Sequence, residues 1–468
     1  MKSGEANDAM SAWATASGLS LENSWPTSNM SNWSWTADNE VSEMVAAIKS
    51  GQFAADVEYV EPNYIYHEAA VQTLDEILAM ADASQRIQTT VNIEQNELWT
   101  GLTGGKARPI IAVIDTGIDT NHITFTSTNA LWVNSGEIPG DGVDNDGNGY
   151  VDDINGFNFR DKNANIADLG GHGTHCAGIA LGVGQNILLK PADIAPAKIQ
   201  IMALKFIGPS GGATSDAINA IYYAVRNGAR VISNSWGGPS DSRALEDAIK
   251  FAYANEVVFV AAAGNSSTNI DSTPTYPAAY RVPNVISVAA TDGQDKLATF
   301  SNFGVASVDM SAPGVSILST YPGSVFSRLS GTSMATPFIA GTAALQFYER
   351  SDLLAYQVKN ILLQKSNPAP SLVGKIGNAV RLNSNDVVQE TKIVAKLDDH
   401  PSYGATVASA SSSEEQSSGG GGGGCGTVMK IGGGGPPSNP PWAMLAFLFL
   451  PVAVALKLRA SEVTIRRY

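Results

Sequence analysis

Apolar and polar positions along this chain fall into stretches with distinct rhythms. Ile110-Ile111-Ala112-Val113-Ile114 is a continuous apolar run with the length and β-branched content of a strand buried on both faces, and Val257 to Ala263 and Val285 to Ala290 also read as strands. Lys198 to Leu204 also reads as a strand, and Val231 to Gly238 as a strand with an exposed tail. Helical periods lie between them: Thr214 to Asn227, with Ile218, Ile221, Tyr222 and Val225 on one face, then Ala244 to Asn255, and Phe338 to Tyr348, rich in Ala, Leu and Ile. This alternation predicts an α/β domain, a mostly parallel sheet with helices on both faces. Upstream, Val41 to Ile48 reads as an amphipathic helix, Val57 to Tyr64 alternates like a strand around Pro62, and Leu74 to Met80 is helical again.

Composition narrows the partners. The chain has 468 residues, enough for two or three domains, and 44% hydrophobic content supplies a large core. Its 44 acids against 29 bases give a net charge of −15, which argues against nucleic acid and suits an acidic, exported surface. The two cysteines, Cys176 and Cys425, stand far apart in unlike settings, so no disulfide framework is expected.

Candidate chemistry sits where apolar stretches stop abruptly. Asp115 ends the Ile110 run and is followed by Thr116-Gly117, placing a carboxylate at the tip of a buried strand, where open α/β sheets handle ligands. In Gly170-Gly171-His172-Gly173-Thr174-His175-Cys176, glycines around His172 allow close backbone approach at the start of a helix. Gly331-Thr332-Ser333-Met334-Ala335-Thr336-Pro337 opens the buried Phe338 helix, so Ser333 lies beside unpaired N–H groups and the positive end of a helix dipole, a field that favours an oxyanion. An alcohol, a base that titrates near neutrality and a carboxylate to orient that base are the set nucleophilic acyl transfer needs.

These motifs resemble those of the subtilisin-like serine proteases, the subtilases, across about residues 95 to 384. A further block, Ala261-Ala262-Ala263-Gly264-Asn265, resembles the family's oxyanion segment. The resemblance implies a serine endopeptidase with Asp115, His172 and Ser333 as catalytic triad and Asn265 as oxyanion donor. It implies that Ser235-Trp236-Gly237 forms a wall that pairs with peptide substrate as an added strand, with Ala263 and Gly264 also lining the cleft. It further implies a cis proline in Tyr276-Pro277-Ala278, and Arg381-Leu382-Asn383 at the close of the catalytic domain. An esterase using the same triad would carry a Gly-x-Ser-x-Gly elbow, which Ser333 lacks. Cys176, four residues after His172, falls on the same helix face, but Ser333 already occupies the nucleophile position.

The flanks supply the remaining expectations. Residues 1–67 resemble the inhibitory prosegment of the family, a small α+β unit, here partial; 68–94 form a linker, 95–384 the catalytic domain, 385–441 a Ser/Gly/Pro-rich spacer and 442–468 a short membrane helix with a basic tail. Residues 1 to about 35 hold no apolar stretch of signal-peptide length, which suggests a missing start. Asp144, Asp146, Asn148, the Tyr150 carbonyl and Asp152 have the spacing of a calcium loop, although the twelfth position is Asn155 instead of Glu; a solvated acidic hairpin is the alternative. At about 1.5 Å per residue, residues 442–456 would form a helix about 22 Å long, short against a bilayer core of about 30 Å. With the preceding glycines, Cys425 and the basic end, this tail resembles a bacterial surface-sorting signal, trimmed by a sorting peptidase with Cys425 as attachment point. A plain tail anchor is the other reading.

Overall fold

The computed structural model describes residues 19–25, 30–35, 41–50, 57–69, 102, 107–183, 196–395, 426–431 and 461–467. The chain forms two compact units, one of residues 1–64, 242–244 and 413–468, the other of 65–241 and 245–412.

In the first unit, strands β1 (Leu19–Trp25) and β2 (Met30–Trp35) pair antiparallel, followed by helix α1 (Val41–Ser50) and strand β3 (Val57–Pro62). Trp25, Met30, Trp33, Ile48, Tyr59 and Val60 are its buried apolar residues. Gly426–Ile431 and Ser461–Arg467 join the same sheet as strands. The first falls inside the expected spacer and the second inside the expected basic tail; Thr427, Val428 and Ile431, and Val463, Thr464 and Ile465, are the β-branched residues that favour this outcome. The apolar segment 442–456, Cys425 and the helix expected at 74–80 lie outside the described residues.

The second unit opens with the short strand β4 (Ile65–Glu68) and then β5 (Ile110–Asp115), helix α2 (Ile123–Ser127), β6 (Gly156–Asn158) and helix α3 (His172–Gly182). Next come β7 (Gln200–Lys205), β8 (Gly212–Ala213), α4 (Thr214–Arg226), β9 (Ala229–Asn234), β10 (Trp236–Gly237), α5 (Arg243–Ala254), β11 (Val258–Ala262) and β12 (Val285–Thr291). The chain continues through β13 (Met310–Pro313), β14 (Ile317–Tyr321), β15 (Val325–Leu329), α6 (Thr332–Glu349), α7 (Ala355–Lys365), β16 (Asn367–Pro368), β17 (Val380–Arg381) and α8 (Ser384–Ile393). The main sheet has nine strands in the order β16-β17-β13-β12-β11-β9-β5-β7-β6, and every pairing is parallel except β16 with β17.

All residues of β11 and β12 are buried, and in β5 all but Ile110, which is what a parallel sheet covered on both faces demands and why these strands are Ile, Val and Ala. α6 is buried from Thr332 through Phe347, so it is apolar or small nearly all round instead of amphipathic. In α4, Ile218, Ile221 and Tyr222 are buried as the period predicts, while Val225 is only partly covered and Tyr223 is buried in addition.

Two expected boundaries move. The prosegment boundary at residue 67 falls inside β4, which runs on through Glu68. The spacer expected from 385 begins instead with α8, whose Val387, Val388 and Thr391 are buried, two of them in the main core, and whose start is capped by the Asn383 side chain accepting from the Asp386 N–H at 3.0 Å.

Candidate active site

Strand register brings the tip of β5 and the starts of α3 and α6 to one region. Asp115 is the last residue of β5, level with Lys205 on β7, and is 1% exposed. His172 is the first residue of α3, and its Nδ1 donates to Asp115 Oδ1 at 2.7 Å. The same oxygen accepts from the Thr116 N–H at 2.7 Å, and Oδ2 has no hydrogen-bond partner among the described residues. Gly173 must be a glycine, because a Cβ there would run into the Gly117 carbonyl and the Asp115 side chain. Burial alone would push the His172 imidazole down; the charge and hydrogen bond of Asp115 outweigh it, with help from Glu68 and Asp168, and hold it at about 9.

Asp168 organises this corner, and no motif pointed to it. Its Oδ1 accepts from the Thr116 hydroxyl and the Gly170 and Gly171 N–H groups, and its Oδ2 from the N–H and hydroxyl of Thr174. Thr116 Oγ1 in turn accepts from the Gly173 N–H at 2.9 Å, so one buried acid ties the Asp115 turn to the start of α3. The available signal was local: an Asp placed two and three residues before glycines at a helix start caps N–H groups.

Ser333 is fully buried in the first turn of α6, one residue past Thr332. Its Oγ donates to the Ser235 carbonyl at 3.1 Å and lies 3.5 Å from the Ala69 carbonyl oxygen, while His172 Nε2 has no hydrogen-bond partner among the described residues. Asn265 Oδ1 accepts from the Thr332 N–H and Thr332 hydroxyl, each at 2.8 Å, which fixes the amide beside Ser333. Gly264 adopts φ +101°, and its N–H donates to Thr332 Oγ1 at 3.1 Å. Buried Asn302, absent from the sequence reading, accepts from the Ser266 and Thr268 N–H groups and donates to the Ala263 carbonyl, holding the turn that carries Asn265.

Trp236 and Gly237, expected in the substrate wall, pair with a strand of the chain itself. β4 pairs antiparallel with β10, Glu68 opposite Trp236 and His67 opposite Gly237, and on its other edge with β8. The Ala69 N–H donates to the Ser235 carbonyl at 3.1 Å. Glu68, missed by the sequence reading as a site residue, puts its carboxylate 3.8 Å from His172 Nδ1. Cys176 is buried and burial pushes its thiol up, so it is a poor nucleophile; it lies 3.4 Å from the Ser333 carbonyl. The Tyr276–Pro277 bond is cis.

The calcium-spaced loop is only partly gathered. Asp144 Oδ1 and Asp146 Oδ1 both accept from the Asn148 N–H, and Asn148 Oδ1 from the Tyr150 N–H. Asp152 turns aside, its carboxylate accepting from the N–H groups of Gly140 and Gly142. The oxygens that converge within 4.8 Å of one another belong to Glu137, Asp146 and Asp153. Glu137 and Asp153 are buried, and burial holds the Asp153 carboxyl above the usual carboxylate range, a cost a cation would relieve. An all-oxygen, carboxylate-rich set fits a hard divalent ion such as calcium.

The family model for the subtilase family matches residues 106–404. Thermitase of Thermoactinomyces vulgaris is 39% identical over 254 residues, covering 54% of this chain and 79% of that protein. The thermophilic serine proteinase of Bacillus sp. strain AK1 is 37% identical over 307 residues, 65% of this chain and 67% of that protein. A solved cold-adapted subtilisin-like serine proteinase shares 30% identity at a TM-score of 0.47, over 59% of this chain and 88% of that one.

Proposed function

The chain belongs to the subtilase family and is a serine endopeptidase; from that premise we propose that Asp115, His172 and Ser333 are its catalytic triad and Asn265 its oxyanion donor. Ser333 Oγ attacks a peptide carbonyl as its proton passes to His172 Nε2, and Asp115 holds Nδ1–H so that the opposite nitrogen faces the nucleophile. His172 then gives that proton to the leaving amine as the peptide C–N bond breaks, and the resulting acyl-enzyme is hydrolysed, His172 taking a proton from water and returning it to Ser333. Developing negative charge on the substrate oxygen is met by the Asn265 amide and the Ser333 N–H at the start of α6. The observation that carries this reading is the 2.7 Å Asp115–His172 bond together with a peptide carbonyl, that of Ala69, 3.5 Å from the Ser333 hydroxyl. A fluorophosphonate probe should label Ser333 and fail to label Ser333→Ala.

The segment ending at Ala69 acts as the protease's own inhibitor, lying on β10 where a substrate strand would pair. Peptides and proteins with uncharged side chains are its other partners. Calcium would be held by Glu137, Asp146 and Asp153, and its part is structural: it neutralises carboxylates packed around the loop. The protein works outside the cytoplasm, and the tail from Cys425 onward, read from sequence as a sorting signal, either keeps it at the membrane or is trimmed to release it.

A further inference from the structure

Asn265 stands on an exposed turn, and a buried side chain from a distant part of the sequence holds that turn from beneath. Ser266, Ser267 and Asn269 face solvent, so packing of their side chains contributes little to the turn's shape. Ser267 also adopts φ +54°, a left-handed conformation that is costly for a residue with a Cβ. Asn302 supplies the missing restraint. Its Oδ1 accepts from the Ser266 and Thr268 N–H groups, each at 2.9 Å, and its Nδ2 donates to the Ala263 carbonyl at 2.8 Å. Its own N–H donates to the Gly264 carbonyl at 2.8 Å. One residue thereby grips the chain on both sides of Asn265, and a Cβ at Gly264 would run into its Nδ2. Asn302 is itself anchored to the main sheet: Ser301 Oγ donates to the Asn302 carbonyl at 2.9 Å and accepts from the Ala290 N–H of β12 at 3.0 Å. At the other end of the turn's working part, the acceptor atom of the Asn265 amide is taken by Thr332. Its donor atom lies against Gly331, where a Cβ would stand 3.0 Å from Nδ2, two residues before Ser333.

We infer that Asn302 is a positioning residue of the oxyanion site: it sets where the Asn265 amide stands, and its contribution is felt in the transition state alone. The inference rests on the role proposed above for Asn265 and deepens it. A donor stabilises a developing oxyanion only when it is already fixed where that oxygen will be, and a misplacement of about 1 Å can cost about a hundredfold in rate. Without the Asn302 side chain, two N–H groups and one carbonyl of the turn lose their partner, and an exposed turn satisfies them by moving toward water. Substrate in its ground state makes little use of the Asn265 donor, so KM should hold while kcat falls. A purely structural Asn302 would act through the whole fold. A positioning Asn302 acts only while there is an Asn265 amide to place.

A double-mutant cycle separates the two. Steady-state kinetics on a peptide p-nitroanilide are measured for the full chain, Asn302→Ala, Asn265→Ala and the double variant, each per active site counted by fluorophosphonate titration carried to completion. Asn302→Ala is expected to lower kcat about tenfold to hundredfold with KM within about twofold, and to change kcat by less than about twofold once Asn265 is already alanine. An equal loss in both backgrounds, or no loss beside an intact Asn265, overturns the inference and leaves the Asn265 role standing. Full kcat in Asn265→Ala fells both. Melting of Asn302→Ala in a Ser333→Ala background shows whether it folds. If it does not, Asn302→Asp decides, because the carboxylate still accepts from the Ser266 and Thr268 N–H groups and loses only the donor to Ala263. The same loss of kcat, confined to the background that keeps Asn265, is expected of it, and an unchanged kcat overturns the inference.

Discussion

Ser235 and Ser333 exchange two hydrogen bonds: Ser235 Oγ donates to the Ser333 carbonyl at 3.0 Å, and Ser333 Oγ donates to the Ser235 carbonyl at 3.1 Å. The first bond answers a vacancy in α6. Pro337 lies four residues on and has no N–H, so the Ser333 carbonyl lacks its helical partner and takes the Ser235 hydroxyl and the Cys176 thiol instead. The second bond holds the Ser333 hydroxyl against the Ser235 carbonyl.

Ser235→Ala removes the stronger donor from a buried carbonyl that the helix cannot satisfy. A loss of about 1–3 kcal/mol is expected. Urea unfolding of Ser235→Ala in a Ser333→Ala background, where self-digestion cannot interfere, measures it; an unchanged midpoint would show the thiol suffices alone.

Asn265→Asp keeps an acceptor for both Thr332 groups and deletes the amide donor. On the proposed role, kcat should fall by about 10²–10³ or more, with KM little changed. Steady-state kinetics on a peptide p-nitroanilide decide it.

On the proposed role of His172, the reactivity of Ser333 depends on pH. The imidazole, held at about 9, must lose its proton to act as base, so the rate of fluorophosphonate labelling should climb as pH rises through about 9. Glu68 contributes to that elevation after Asp115, so Glu68→Gln should move the rise to lower pH. The same shifts set the stability profile. His172, raised from 6.5, contributes stability that is fully present below pH 6.5 and lost as pH climbs through about 9. His175, lowered by burial to about 4, contributes stability that is present above pH 6.5 and lost as pH falls through about 4. Denaturant midpoints of Ser333→Ala across pH 3 to 10 should therefore peak between these limits.

Calcium should stabilise the protein without entering the chemistry. At a concentration about a hundredfold above Kd the gain is about 2.7 kcal/mol. Ser333→Ala should melt higher in calcium than in chelator, and Asp153→Asn should shrink that difference, whereas Asp152→Asn, whose carboxylate serves the Gly140–Gly142 turn, should preserve most of it.

Much of this was legible because it is local. The buried strand ending in Asp115, the glycines around His172 and the small-residue helix after Ser333 each record a backbone requirement: burial on two faces, close approach, an all-round covered helix. The sequence by itself therefore determined the parallel α/β architecture and the family, and it singled out Asp115, His172, Ser333 and Asn265 as the side chains proposed to act. Only the tertiary structure decided that Asp168 and Asn302 tie the segments around Asp115, His172 and Asn265 together, that carboxylate oxygens of Glu137, Asp146 and Asp153 come together, and that 384–393 is a packed helix. Only it brought the Ala69 carbonyl, 264 positions before Ser333 in the chain, to the Ser333 hydroxyl. The physical reason is the same in each case. A hydrogen bond between distant residues leaves no period or spacing in the sequence, because its geometry exists only once the sheet has set the register of the strands that carry it.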